Sequence, residues 1–297
     1  MCISRIAFGK VFKKSDSPFK DNRFSEKILG PDFAFLLKAH GEAMPYFKSL
    51  KREIISVATF DGLKLDGLFF ACPQTSSDTV ILVHGYNSSP EGDFPVITRY
   101  YLENGFNVLC TNNRGGKNGD GDDITFGIFE RLDTALWVDE IAKRHPDGNI
   151  ILHGVSLGGA TVCMMSELTL KNVRAVISDC AYTSVRDEFD YTTKFVAGFT
   201  PRRSLEKMYR IFEKTHGLSV DEFTPLKAVS NAKYPILFIH GKEDRFIPVS
   251  MAYELFDACP AKKELYIVEG AGHAASCVRN PAEYASRTLE FIKGCKR

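Results

Sequence analysis

The chain has 297 residues, 44% of them hydrophobic and 25% charged, and Lys+Arg 38 against Asp+Glu 37 gives a formal charge of +1. A single domain of this size buries roughly 75% of its unfolded surface, so it needs no disulfide or metal staple. The composition excludes disordered, collagen-like and disulfide-scaffold chains, and the balanced charge argues against a dedicated nucleic-acid binder.

No run approaches the ~20 apolar residues of a membrane-spanning helix. Met1–Lys10 lacks an apolar core followed by a cleavage site, so no secretory signal is expected. The eight cysteines form no C-x-x-C pair, and several lie within apolar runs. They read as reduced thiols of a cytoplasmic protein, with no zinc implied.

Taken in chain order, residues 1–50 carry nine basic and five acidic side chains, a local +4. They are expected to form a helical extension packed through Phe33, Phe35, Leu36, Leu37, Tyr46 and Phe47; a basic amphipathic contact with a membrane surface is the alternative. Residues 51–297 then read as one domain. Residues 54–58 and 63–70 are strands around an Asp61-Gly62 turn. Six more apolar runs follow at Thr79–Val83, Phe106–Thr111, Asn149–His153, Val173–Ser178, Pro235–His240 and Glu264–Glu269. Each has the Val, Ile, Leu and Phe content of a strand buried on both faces. Helices are predicted at 93–104, 125–145, 157–170, 250–258 and 281–294, the last opened by Asn280-Pro281. In the second of these, Ile128, Leu132, Ala135, Leu136, Asp139 and Ala142 are predicted to share the inner face. The alternation predicts an α/β fold with about eight mostly parallel strands. Residues 179–234 interrupt it, and a small helical cap is expected within about 183–225, contributing walls to a pocket.

Gly154-Val155-Ser156-Leu157-Gly158 lies between a strand and a helix, the context that a G-x-S-x-G nucleophile elbow requires. Such a serine is held at positive φ with its hydroxyl clear of the sheet, and flanking glycines remove side chains that would collide there. Serine needs a base oriented by an acid. His273, in Gly270-Ala271-Gly272-His273 after the last strand, is the candidate base, and the other six histidines read as structural. Asp244, in His240-Gly241-Lys242-Glu243-Asp244, is the candidate acid, with Asp179 its rival at a neighbouring strand end. The order Ser156, Asp244, His273 is that of the α/β hydrolases. The backbone N–H groups of Leu157 and of Tyr86, in His84-Gly85-Tyr86-Asn87-Ser88, are the expected oxyanion donors.

These stretches, together with Thr59-Phe60-Asp61-Gly62 and Asn113-Arg114-Gly115, resemble the α/β-hydrolase superfamily over residues 54–294. Within it the chain is similar to bacterial serine hydrolases grouped with cinnamoyl-type esterases, serine aminopeptidases and prolyl-oligopeptidase-like catalytic domains. Relatives often continue the arginine loop as R-G-x-G-x-S, whereas this chain reads Arg114-Gly115-Gly116-Lys117-Asn118-Gly119. That loop borders the pocket in the family, so the departure bears on substrate class. The expected activity is hydrolysis of a small-molecule carboxylic ester through an acyl-enzyme, with no metal or cofactor. A serine peptidase, a lysophospholipase and a non-catalytic binding protein of the same fold are the alternatives. Asn118, Asp120 and Asp122 are spaced like the start of a calcium loop, but Asp123 and Phe129 stand where that loop needs Gly and Glu. Cys277 reads as an incidental thiol near His273.

Overall fold

The computed structural model describes residues 3–14 and 32–295. Cys2, residues 15–31 of the predicted extension and the side chain of Phe33 lie outside the described residues. Eight strands form one sheet: β1 (Glu53–Ala58), β2 (Lys64–Phe70), β3 (Thr79–Val83), β4 (Asn107–Thr111), β5 (Ile150–Val155), β6 (Val173–Asp179), β7 (Ile236–Gly241) and β8 (Lys263–Val268). Their spatial order is β1-β2-β4-β3-β5-β6-β7-β8. The pairs β1–β2 and β2–β4 are antiparallel and all others parallel. Every residue of β3, β4, β5 and β7 is buried, as strands covered on both faces by helices must be.

The helices, in chain order, are α1 (Ile3–Val11), α2 (Asp32–Ser49), α3 (Pro90–Asp93), α4 (Pro95–Glu103), α5 (Glu130–Arg144), α6 (Leu157–Met165), α7 (Val185–Ala197), α8 (Arg202–His216), α9 (Pro225–Val229), α10 (Ser250–Ala258), α11 (Ser276–Arg279) and α12 (Pro281–Gly294). One apolar core lies between the sheet and α5, α6 and α10, continuing into the α7–α9 insertion; the other lies against α2, α4 and α12. α1 packs on α8, and the ring centroid of Phe12, just past the end of α1, lies 5.0 Å from that of Phe212. α2 packs through Phe47, fully buried and 5.2 Å from Phe70. Phe35 and Leu37, expected to pack with it, remain exposed.

The predicted inner face of α5 is corrected. Leu132 and Asp139 face outward, while Trp137, Val138, Ile141 and Ala142 are buried together with Glu130 and Asp133. Polar contacts set this rotation. Asp133 takes two hydrogen bonds from the buried Arg114 guanidinium, at 2.6 and 2.8 Å, and Asp61 takes two more. Glu130 accepts from the Thr125 and Gly127 amides and the Thr125 hydroxyl. Two charges buried in partnership cost little, but either one alone is expensive. Arg114→Met, which strands Asp133, is therefore expected to cost about 3–5 kcal/mol in urea unfolding. Adding Asp133→Leu recovers most of that loss.

Candidate active site

β5 ends at Val155 and α6 begins at Leu157, so the reversal falls on Ser156 alone, at φ 57° and ψ −118°. Strain of this kind costs of order 1–3 kcal/mol and persists only where the surroundings over-determine it. They do so here. A Cβ on Gly154 would overlap the Gly158 carbonyl, and one on Gly158 would overlap the Val83 carbonyl. The Ser156 amide is also fixed, donating to the Asp179 carbonyl at 2.9 Å.

His273 lies in the loop between β8 and α11, and Asp244 in the turn after β7. The Ser156 hydroxyl lies 2.9 Å from His273 Nε2, and His273 Nδ1 lies 2.7 Å from Asp244 Oδ2. An ionised carboxylate only accepts, so Nδ1 carries the proton and Nε2 turns its lone pair to the serine. The three predicted residues thus form one buried hydrogen-bonded series. Burial alone would raise the Asp244 carboxyl. The charge of His273 and hydrogen bonds from His240 and His273 overcome this and hold it well below the usual carboxylate range. Its other oxygen accepts from the Phe246 and Ile247 amides, both at 2.9 Å.

Asp179, the rival acid, is placed differently. Its carboxylate is held by Ser276 Oγ at 3.2 Å and Tyr284 OH at 3.1 Å. Burial pushes it up to about 6 against the opposing pull of His240, Tyr284 and Ser276. Tyr284 continues to His153 and Tyr101, and burial takes His153 down to about 3, which keeps that ring neutral near neutral pH.

At the expected oxyanion loop, Asp93 accepts from the Gly85 amide at 2.7 Å and the Ser88 hydroxyl at 2.5 Å. This fixes the turn against Ser156, where an ideal Cβ on Gly85 would stand 3.4 Å from Ser156 Cβ. The Tyr86 ring stacks 5.6 Å from Phe126, and its hydroxyl donates to the Lys10 and Val11 carbonyls at the end of α1. Leu157 is the first residue of α6, so its N–H has no acceptor within the helix.

A cavity of about 1010 Å³ opens onto Ser156 and His273. The expectation that the cap supplies its walls is corrected: Leu36, Leu37, His40 and Met44 of α2 line it, and no residue of α7–α9 does. The cap's rings are committed elsewhere, Phe189 and Phe212 against Phe12 and Phe189 against Phe126. In the arginine loop, Lys117 lines the cavity, whereas Arg114 is spent on Asp61 and Asp133. Asp120 accepts from the Lys64 and Gly121 amides and Asn118 donates to Glu91, which ties the calcium-like spacing to chain contacts. Cys277 reaches the cavity wall, but burial drives its thiol far above the ordinary value and leaves it unreactive. Cys180, Asp244 and His273 bring ligand-type atoms within 4.8 Å of one another. The Asp244 and His273 atoms are already hydrogen-bonded in the series above.

Residues 78–224 match the family model described as the alpha/beta hydrolase fold. The chain belongs to the α/β-hydrolase superfamily. It is 25% identical to the Bacillus subtilis protein YqkD over 83% of this chain and 81% of that one. It is 24% identical to Schizosaccharomyces pombe protein bem46, over 77% and 73%. Among solved structures, the Pyrococcus furiosus esterase Pf2001 superposes with a TM-score of 0.69 at 24% identity, covering 84% of this chain and 94% of that one. A Pyrococcus horikoshii acylaminoacyl peptidase gives 0.61 at 20% identity, over 84% of this chain and 43% of the peptidase.

Within this hydrolase fold, two positions escaped the sequence reading. Asp93 carries no local signal, since its partners Gly85 and Ser88 are a turn away. His240, read as structural, lies 3.3 Å from Asp244 Oδ2 and 2.9 Å from the Ile247 carbonyl through the same Nε2. Both neighbours are acceptors, so Nε2 bears a proton. Its four-residue spacing from Asp244 was the available clue. Burial would lower the His240 imidazole, but the hydrogen bond and charge of Asp244, the Ile247 carbonyl and the charge of Asp179 raise it overall. His240→Leu removes a donor from Asp244, which then holds the His273 proton more tightly. The acid limb of the kcat/KM pH profile is expected to move up by about one unit. His240→Asn, which retains a donor, shifts it less.

Proposed function

We propose that the protein is a serine hydrolase that cleaves carboxylic esters. Ser156 Oγ attacks the ester carbonyl as His273 Nε2 takes its proton. The oxyanion of the tetrahedral intermediate is met by the Tyr86 and Leu157 amides, the second at a helix N-terminus where the dipole favours negative charge. His273 returns the proton to the departing alkoxide, leaving the acyl group on Ser156. Water then attacks the acyl-enzyme with His273 as base, and the serine is regenerated as the acid leaves. Asp244 keeps the imidazole in the required tautomer and stabilises its cation.

The observation that carries this reading is the hydrogen-bonded series Asp244–His273–Ser156 at the floor of a cavity. An ester is favoured over a peptide because most of the carboxylates that would anchor a substrate amine are already engaged. Asp93 holds the oxyanion loop, Glu91 accepts from Asn118 and Asp179 from Ser276 and Tyr284, while Asp122 shares the cavity with Lys14 and Lys117. No helix of the described residues is long and apolar enough to cross a membrane, and a small-molecule substrate fits a cavity of this size.

Ser156→Ala is expected to lower p-nitrophenyl ester turnover by about 10⁶-fold and to abolish labelling by a fluorophosphonate. Asp244→Asn costs about 10⁴-fold in kcat. Undiminished turnover by purified Ser156→Ala would refute the reading. Turnover of aminoacyl anilides faster than of short acyl esters would replace it with the peptidase.

A further inference from the structure

Resting on the ester-hydrolase reading above, we propose that α2, and not the cap, is the specificity wall, and that the cavity beneath it takes an elongated aliphatic arm of the ester. Three observations converge on this.

The first is the chemistry of the lining. The apolar lining is built from Leu36, Leu37 and Met44 of α2 together with Ile97, Val155 and Cys277. The lining aromatics are Tyr86 and Phe246, and both sit beside the reacting atoms. Tyr86 is held by α1, and the Phe246 ring stands 5.0 Å from that of His273 at 77°. Among the described residues, no Phe, Tyr or Trp lines the α2 side, and Leu36, Leu37 and Met44 offer aliphatic surface to methylenes there.

The second is size and charge. At about 1010 Å³ the cavity lies at the upper end of small-molecule sites. An acetyl group leaves most of it to water. Lys14 and Lys117 line the cavity with Glu91 and Asp122, and the other two lining acids are held, Asp93 by Gly85 and Ser88 and Asp179 by Ser276 and Tyr284. The described lining holds two lysines against four acids, so it gives no field that would draw an anionic arm inward.

The third is that α2 is a fixed wall attached to the catalytic loops. Asp32, at its start, accepts from the Gly272 amide at 2.9 Å, one residue before His273. His40 Nδ1–H donates to the Gly92 carbonyl at 2.7 Å, next to the Asp93 that pins the oxyanion loop. Phe47 anchors the far end in the core. An arm gripped by Leu36 and Met44 is thereby registered against both His273 and the oxyanion loop.

The test is kcat/KM for p-nitrophenyl acetate, butanoate, octanoate and dodecanoate, paired with a series of alkyl acetates from ethyl to octyl. The two series separate an acyl arm from an alcohol arm. Buried methylenes contribute about fourfold each, so one series is expected to rise by at least about 10²-fold from its two-carbon to its eight-carbon member. Leu36→Trp and Met44→Trp, which fill the channel, are each expected to lower that eight-carbon to two-carbon ratio by at least about 10-fold. The ratio is read on protein that still reacts with a fluorophosphonate; a variant that does not is replaced by Met44→Phe. Rates that stay flat or fall with length in both series overturn the proposal, as does a ratio unchanged by the α2 variants. A wild type that reacts with neither esters nor the fluorophosphonate overturns the ester-hydrolase reading itself, a result distinct from labelled enzyme without chain-length preference.

Discussion

The site depends on one buried anion. Asp244 is removed from water, which for an isolated carboxylate costs several kcal/mol. Four donors make its charge tolerable: the Phe246 and Ile247 amides on one oxygen, and His273 Nδ1 and His240 Nε2 on the other. That charge fixes the His273 tautomer, and the tautomer aims a lone pair at Ser156. Ser156 in turn reaches it only because an over-determined turn holds it at positive φ. Remove the anion and the strain at Ser156 serves no purpose.

Buried and half-buried carboxylates organise the surrounding irregular backbone in the same way. Asp93 binds the turn after β3, and Glu130 binds the turn in which Phe126 is held at φ 52°. Asp133 fixes Arg114, and Asp32 binds the amide next to His273. Phe126 supports the Tyr86 ring, whose hydroxyl ties the turn after β3 to the end of α1. The segments that precede β1 are thus joined to the site at three places, Tyr86 from α1 and Gly92 and Gly272 from α2.

Much of this was legible in the sequence, for a physical reason. Strands buried on both faces must be apolar throughout, so the central ones stood out as continuous runs, and all eight were placed within about two residues of their observed ends. The elbow was legible because Gly154 and Gly158 are required by backbone overlap. Asp244 and His273 followed from chain order and strand ends. The face of α5 was not legible, because Asp133 and Glu130 fix it through polar contacts to the preceding loops that apolar periodicity does not see. Nor was the cavity wall. That Leu36 and Met44 meet Cys277 depends on how α2 docks across the chain, and no local pattern records it. His240 was missed because a histidine ending a buried strand looks the same whether or not its ring nitrogen finds an acid.

Rapid quenching followed by peptide mass spectrometry tests most directly whether Ser156 is the atom that carries the acyl group. Mixed with a p-nitrophenyl ester and quenched in acid within the first turnover, the protein is expected to gain one acyl mass on the peptide containing Ser156. The same experiment on His273→Ala yields none. Rapid ester turnover with Ser156 unmodified at every quench time, or an acyl group on another side chain, contradicts the assignment.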